Sequence, residues 1–235
     1  LMEPMISGGG VLIPPDNYLK GAREVCDRYN VLLIMDEVVS GFGRTGKMFG
    51  HEHWDVKADV FTFAKGMASG YMPVAATVVK EHIFEAFYGE TSELMHFRHI
   101  NTYGGHPVSA AVSLKNIDIV KQENLPKNAA KMEKYIKNRL SEFADHPFVG
   151  DIRGRGLLLG IELVTDKEKK TPVSLAQANG IIQNCIKEGV FLMRNGNTVP
   201  GLGNILIMAP PLILKENEAD QIVDAIGKAL NKALN

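Results

Sequence analysis

Two short apolar runs frame this chain, and each stops at a charged group. Val31–Met35 is continuously apolar and ends at Asp36 and Glu37, while Val60–Ala64 is nearly so and ends at Lys65. Runs of this length, apolar at both alternating positions, predict strands buried on both faces, the habit of parallel sheets under helices. Upstream, Leu1–Met5 reads as the end of a strand, and Ser7–Gly10 and Pro14–Pro15 as turns. Tyr18, Leu19, Ala22, Val25 and Cys26 then repeat at helical spacing, with Asp16 placed to cap the helix and Asn30 to stop it. A strand–helix–strand unit with a right-handed parallel crossover follows.

Beyond Lys65 the pattern predicts a loop, Gly66–Pro73, a strand, Val74–Val79, and a helix carrying Ile83, Phe84 and Phe87. A polar loop with His96 and His99 leads to two long helices, Val108–Gln122 and Pro126–Phe143, the second with lysines on its outer face. From about Phe148 the pattern changes. A Gly/Arg-rich stretch, Val149–Gly156, leads into a strand, Leu157–Val164, and a charged turn. A helix (Leu175–Lys187), a strand (Val190–Met193), a Gly/Asn/Pro loop, a strand (Ile205–Ala209) and a last helix (Glu216–Leu234) complete an α+β tail. The class is α/β, without internal repeats or low-complexity segments.

Composition narrows the partners. The chain has 235 residues, 45% hydrophobic and 23% charged, with a formal net charge of −1, an ordinary globular balance. Near-neutral charge offers no electrostatic reason to expect nucleic acid or an anionic membrane surface. Cys26 and Cys185 are far apart and match no metal-binding spacing, which suits a reducing, cytoplasmic setting. No apolar run approaches the roughly 20 residues of a membrane span.

In parallel sheets ligands lie beyond the carboxyl ends of the strands. Asp36 and Lys65, 29 residues apart, are therefore both delivered to where a ligand would sit. A pyridoxal phosphate site needs this pair, an amine to form a Schiff base with the cofactor aldehyde and a carboxylate to keep the pyridine nitrogen protonated. A structural ion pair accounts for the same two residues, and the strands alone leave both readings open. Gly41–Gly46 formally matches G-x-G-x-x-G, but Asp36–Ser40 separate it from the strand end and no apolar helix follows, so dinucleotide binding is weakly supported. His51, His53 and Trp54 lack the further ligands a metal requires and read as loop and packing residues.

The wording around these residues favours the cofactor. LLIMDEVVSGFGRTG followed by DVFTFAKGMASGYMPVAA closely resembles the signature of class III pyridoxal-phosphate aminotransferases, with support from LMEPMISGGG, NTYGGHPVSAA and MAPPLIL. The resemblance covers essentially the whole chain. It implies the fold type I architecture, with residues 1–116 as the C-terminal part of the cofactor-binding large domain and 117–235 as the small α+β domain. It further implies that Lys65 holds pyridoxal 5'-phosphate as an internal aldimine and moves the proton, and that Asp36 pairs with the pyridine nitrogen. By the same resemblance Val38 is expected to pack on the ring face, Glu3 to face the site, and Thr102 to bond the cofactor phosphate of the neighbouring subunit of a homodimer. Arg194 is implied as the clamp for a substrate carboxylate, with Arg44 and Arg153 less suited to that contact.

The nearest look is to the ω-amino acid–pyruvate and adenosylmethionine–8-amino-7-oxononanoate branch. An ω-amine or ω-amino acid donor and a keto-acid acceptor such as pyruvate, used in ping-pong half-reactions, are therefore expected. Aminomutase or decarboxylase chemistry on the same fold is the rival enzymatic reading. Family members are nearly twice as long, so the chain is expected to be a C-terminal portion that is inactive alone and keeps structural and dimer surfaces.

Overall fold

The computed structural model of the chain describes residues 1–196 and 199–234. They form two compact units, and the chain passes between them repeatedly. Leu1–Pro4, Pro14–Phe42 and Phe49–Glu123 make the first, while Met5–Ile13, Gly43–Met48 and the chain from Asn124 onward make the second. A boundary at 116 would cut the helix Pro107–Gln122, which stays whole in the first unit.

In the first unit, helix α1 (Tyr18–Arg28) precedes strand β1 (Ile34–Asp36), which pairs in parallel with β2 (Val60–Phe63). Strand β3 (Ala76–Val79) joins β2 antiparallel, and Met2 extends the parallel side through a bridge to Met35. The crossover expected from the sequence is thus present, with two corrections. Asn17, not Asp16, takes the cap position of α1, and its side chain makes no capping bond. Strand β1 starts at Ile34, later than expected, and Val31 and Leu32 are exposed (56% and 50%). The reason lies in the helix end. Asn30 is left-handed (φ 51°), and the Val31 and Asn30 N–H groups donate back to Cys26 O and Asp27 O at 2.8 and 3.3 Å. Residue 31 is therefore spent on closing the helix, a Schellman-type ending. Helices α2 (Glu81–Glu85) and α3 (Pro107–Gln122) complete the unit.

Asp59, at the entrance to β2, ties this unit together. Its carboxylate accepts from Arg23 Nη1, Lys80 Nζ and the Leu33 N–H at 2.7, 2.7 and 2.8 Å, so α1, the approach to β1 and the end of β3 share one anion.

In the second unit, helix α4 (Leu125–Leu140) leads to a long hairpin of β4 (Val149–Arg155) and β5 (Leu158–Asp166), with a short β6 (Thr171–Pro172) on β5. Helix α5 (Leu175–Lys187), β7 (Met193–Arg194), β8 (Ile205–Met208) and helix α6 (Glu216–Lys232) follow. The sheet order is β4-β5-β8-β7, antiparallel throughout. Leu159, Ile161 and Leu163 of β5 join Leu206 and Met208 of β8 beneath α4, α5 and α6, forming the main core.

Strand β4 corrects a stretch expected only to lead into a strand. The stretch itself pairs with β5 in a hairpin with two residues between Arg155 and Leu158. Gly156 takes φ 56° at the first turn position, which suits glycine in a two-residue hairpin. No helix of the described residues is long and apolar enough to cross a membrane.

Candidate active site

Strands β1 and β2 run side by side in register, with Asp36 opposite Thr62. Asp36 closes β1, and Lys65 lies just past the end of β2, so a carboxylate and an amine leave the same edge of a parallel sheet on neighbouring strands. The Asp36 N–H donates to Met2 O at 2.8 Å and the Glu37 N–H to Thr62 O at 2.9 Å, which fixes this strand end from both sides. Glu3 follows Met2 on the third rank of the same edge and is half-buried.

The carboxylate of Asp36 accepts the Val38 N–H at 2.9 Å through Oδ1, a local turn that orients both residues. Lys65 opens a single 3-10 turn, Lys65–Met67, and has φ 36°, a region unusual for a side chain of its size. The lysine is exposed, because β2 ends at Phe63 before the chain turns. Its neighbour Gly66 rests on the loop that follows Asp36, since a Cβ there would lie 3.2 Å from Phe42 Cβ and 3.4 Å from Gly41 O. The turn carrying the amine and the loop leaving the carboxylate are thus stacked together.

Glu37, which the sequence did not single out, organises that loop. Its side chain is fully buried and accepts from Ser40 Oγ (2.6 Å), Gly50 N (2.8 Å), His51 N (2.7 Å) and the His51 Nδ1 position (2.8 Å). Gly50 is required there, because a Cβ would meet Ser40 Cβ at 2.7 Å. The His51 ring also stacks against Phe49 and tilts onto Phe61, with centroids 5.9 and 4.7 Å apart. The histidine pattern that suggested packing therefore corresponds to a bonded partner of Glu37. Because its donors lie 3, 13 and 14 residues away, no local sequence signal could have identified Glu37.

The remaining expected residues stand elsewhere. Thr102 lies in the exposed turn Thr102–Gly105 of the first unit, directly before α3. Around it the chain leaves Leu94, Phe97, Ile100 and Tyr103 exposed. Arg194 belongs to the second unit, where it ends β7. Its Nε donates to Asn179 Oδ1 of α5 at 2.9 Å and its Nη1 to Asn195 O at 3.1 Å. Both acceptors are neutral, so the guanidinium is aimed without its charge being compensated by them. Arg44 donates to Leu157 O and Pro210 O (2.9 and 2.6 Å), and Arg153 to Gly10 O, Asp151 and Glu162. Burial lowers the Arg44 pKa from its ordinary value. Both arginines act as structural ties in the second unit.

Comparison with known proteins places the chain in a family. A sequence profile described as "Aminotransferase class-III" matches residues 1–230. An uncharacterised aminotransferase of Bacillus subtilis (strain 168), YhxA, is 45% identical over 226 residues, 96% of this chain and 50% of that protein. Taurine–pyruvate aminotransferase of Bilophila wadsworthia (strain 3_1_6) is 42% identical over 231 residues, 97% of this chain and 51% of that protein. A crystal structure of a Bacillus anthracis aminotransferase superposes with a TM-score of 0.96 at 46% identity, covering 98% of this chain and 51% of that one. The chain spans about half the length of the curated relatives it matches. With the profile matched nearly end to end, the chain belongs to the class III aminotransferases.

Proposed function

We propose that the protein is a pyridoxal-phosphate-dependent aminotransferase that moves an amino group from an ω-amine or ω-amino acid to a keto acid such as pyruvate. The observation that carries this reading is the parallel pair β1–β2, which brings Asp36 and Lys65 out at one sheet edge. The residues suit the cofactor chemically. Lys65 is an exposed primary amine beside a glycine, Asp36 is a carboxylate already oriented by its own loop, and Val38 adds an apolar face next to it. When bound, pyridoxal phosphate supplies an aldehyde carbon and a ring that accepts electrons.

The chain's own groups would divide the work. Lys65 Nζ would hold the cofactor through its aldehyde and, once released, would act as the base that moves a proton at the substrate carbon. Asp36 would pair with the ring nitrogen and keep a proton on it. Arg194, braced by Asn179 and the Asn195 carbonyl, presents its fork to a substrate acid group. Thr102 would bond the cofactor phosphate in the site of a second subunit, and the exposed apolar side chains around it favour a homodimer. The name of the taurine–pyruvate relative supports a donor with its amine far from its acid group and pyruvate as acceptor.

The test uses the complete gene product. With pyridoxal phosphate added, borohydride reduction and peptide mapping should find the cofactor on Lys65. Loss of amine should depend on a keto acid, which an aminomutase or decarboxylase would not require. Lys65→Ala should abolish transamination; a Lys65→Ala protein that still transaminates would sink the assignment.

A further inference from the structure

We infer that Asn116 is a positioning residue for Lys65, holding the turn Lys65–Ser69 in the conformation that presents the amine; this rests on the function proposed above. Asn116 sits within helix α3, where asparagine is a poor choice because its side chain competes for backbone bonds. Here the side chain instead reaches out of the helix. Its amide nitrogen donates to Gly66 O at 2.9 Å and Met67 O at 3.0 Å, and its oxygen accepts from Ser69 Oγ at 2.8 Å. All three contacts fall on the five residues that begin with the lysine.

That turn needs holding. Lys65 has φ 36° and Ser69 φ 49°, both in the left-handed region that non-glycine residues avoid. The turn's own backbone bonds are few, Met67 N to Ala64 O at 2.9 Å and Ala68 N to Lys65 O at 3.3 Å. The Gly66 and Met67 carbonyls point onward from a single 3-10 turn, where no helical partner follows, and Asn116 satisfies both. Removing Asn116 leaves two carbonyls to solvent and releases the strained backbone on which Lys65 stands. The donors and acceptors are 47 to 50 residues apart in sequence, so the contact is tertiary and specific to this fold.

The experiment compares Asn116→Ala, Asn116→Asp and Ser69→Ala with wild type in the complete gene product. Two readouts address Lys65 directly. One is the pyridoxal phosphate Kd by absorption titration. The other is the rate at which brief acetic anhydride treatment labels Lys65 in cofactor-free protein, relative to the exposed Lys57 of the same unit. Asn116→Ala should raise the Kd about tenfold, as expected for losing one or two hydrogen bonds, and should alter the Lys65:Lys57 labelling ratio. Asn116→Asp should do at least as much, since a carboxylate cannot donate to the two carbonyls. Ser69→Ala, which removes only the exposed third bond, should move both readouts in the same direction by less. A purely structural asparagine would lower the thermal midpoint while leaving the Kd and the ratio at wild-type values, and that result would overturn the inference. Should both Asn116 variants fail to fold, Ser69→Ala decides on the same two readouts. If wild type takes up no pyridoxal phosphate, the cofactor reading fails, and the labelling ratio still decides whether Asn116 positions Lys65.

Discussion

Glu37→Ala should destabilise the protein more than any other single truncation near the sheet edge. The side chain has no solvent exposure and faces four donors, from Ser40, Gly50 and twice from His51, at 2.6 to 2.8 Å. Hydrogen bonds to a charged group contribute about 1.5–3 kcal/mol each, but bonds sharing one acceptor are not additive. Breaking a buried charged network by removing one partner typically costs about 3–5 kcal/mol, and we take that as the expected loss. Glu37→Gln keeps one acceptor oxygen and turns an amide N–H₂ toward existing donors, so about 1.5–3 kcal/mol should be lost. At roughly 2–4 °C per kcal/mol for a domain of this size, the thermal midpoint should fall by about 6–20 °C for alanine and about 3–12 °C for glutamine. Ser40→Ala removes one donor only and should shift it by a few degrees at most. Circular dichroism melts of the complete gene product, cofactor-free, give the ranking. If Glu37→Gln melts with wild type, the carboxylate does not hold the loop that follows Asp36.

Two further outcomes follow from the geometry. Burial alone would raise the Asp59 carboxyl pKa, but bonds from Lys80, the Leu33 N–H and Arg23 outweigh it and hold the group well below the usual carboxylate range. A depressed folded pKa means that the stability it confers is full above the unfolded value of about 3.9 and is lost as pH falls toward the folded value. Asp59→Asn should therefore lower the urea midpoint clearly at pH 7, and the gap from wild type should close below about pH 4; a gap independent of pH would contradict the ion cluster. Arg194→Lys, which exchanges a planar fork for a point charge, should raise KM for acid-bearing donors about tenfold with kcat little changed. Steady-state kinetics with paired donors, one lacking the acid group, check this, since equal loss on both would place Arg194 outside substrate recognition.

The candidate reactive residues were legible because they punctuate strands. Asp36 and Lys65 each follow an apolar run, and the parallel pairing of β1 with β2, joined by the long connection 37–59, sets the two strand ends side by side. Elements with a strong period were read closely, and α5 occupies the expected Leu175–Lys187. Strand β4 was not, because Val149–Arg155 carries two glycines and alternating charges, and its strand character comes from pairing with β5. Val31 and Leu32 were misread for the opposite reason. Their hydrophobicity suggested strand, whereas the left-handed Asn30 committed the next N–H to the helix. Local preference yields where a backbone group already has a partner.

The residues that hold the site in place were silent in sequence for a related physical reason. Glu37 is read as one more acid after Asp36, and Asn116 as one more polar residue on a helix face. Their roles exist as hydrogen bonds to groups 3 to 50 residues away, most of them at least 13. Yet these contacts have different consequences. Glu37 binds the loop after the carboxylate, whereas Asn116 binds the turn that carries the amine, and Gly66 lies where that turn meets the loop. A change at Glu37 should therefore reach Lys65 through the Gly41–Phe42 contact with Gly66, while a change at Asn116 should leave the Asp36–Val38 bond intact. Glu37 and Asn116 variants combined should thus lose more cofactor affinity than either alone, but less than the sum of the two losses, because both act on the same turn.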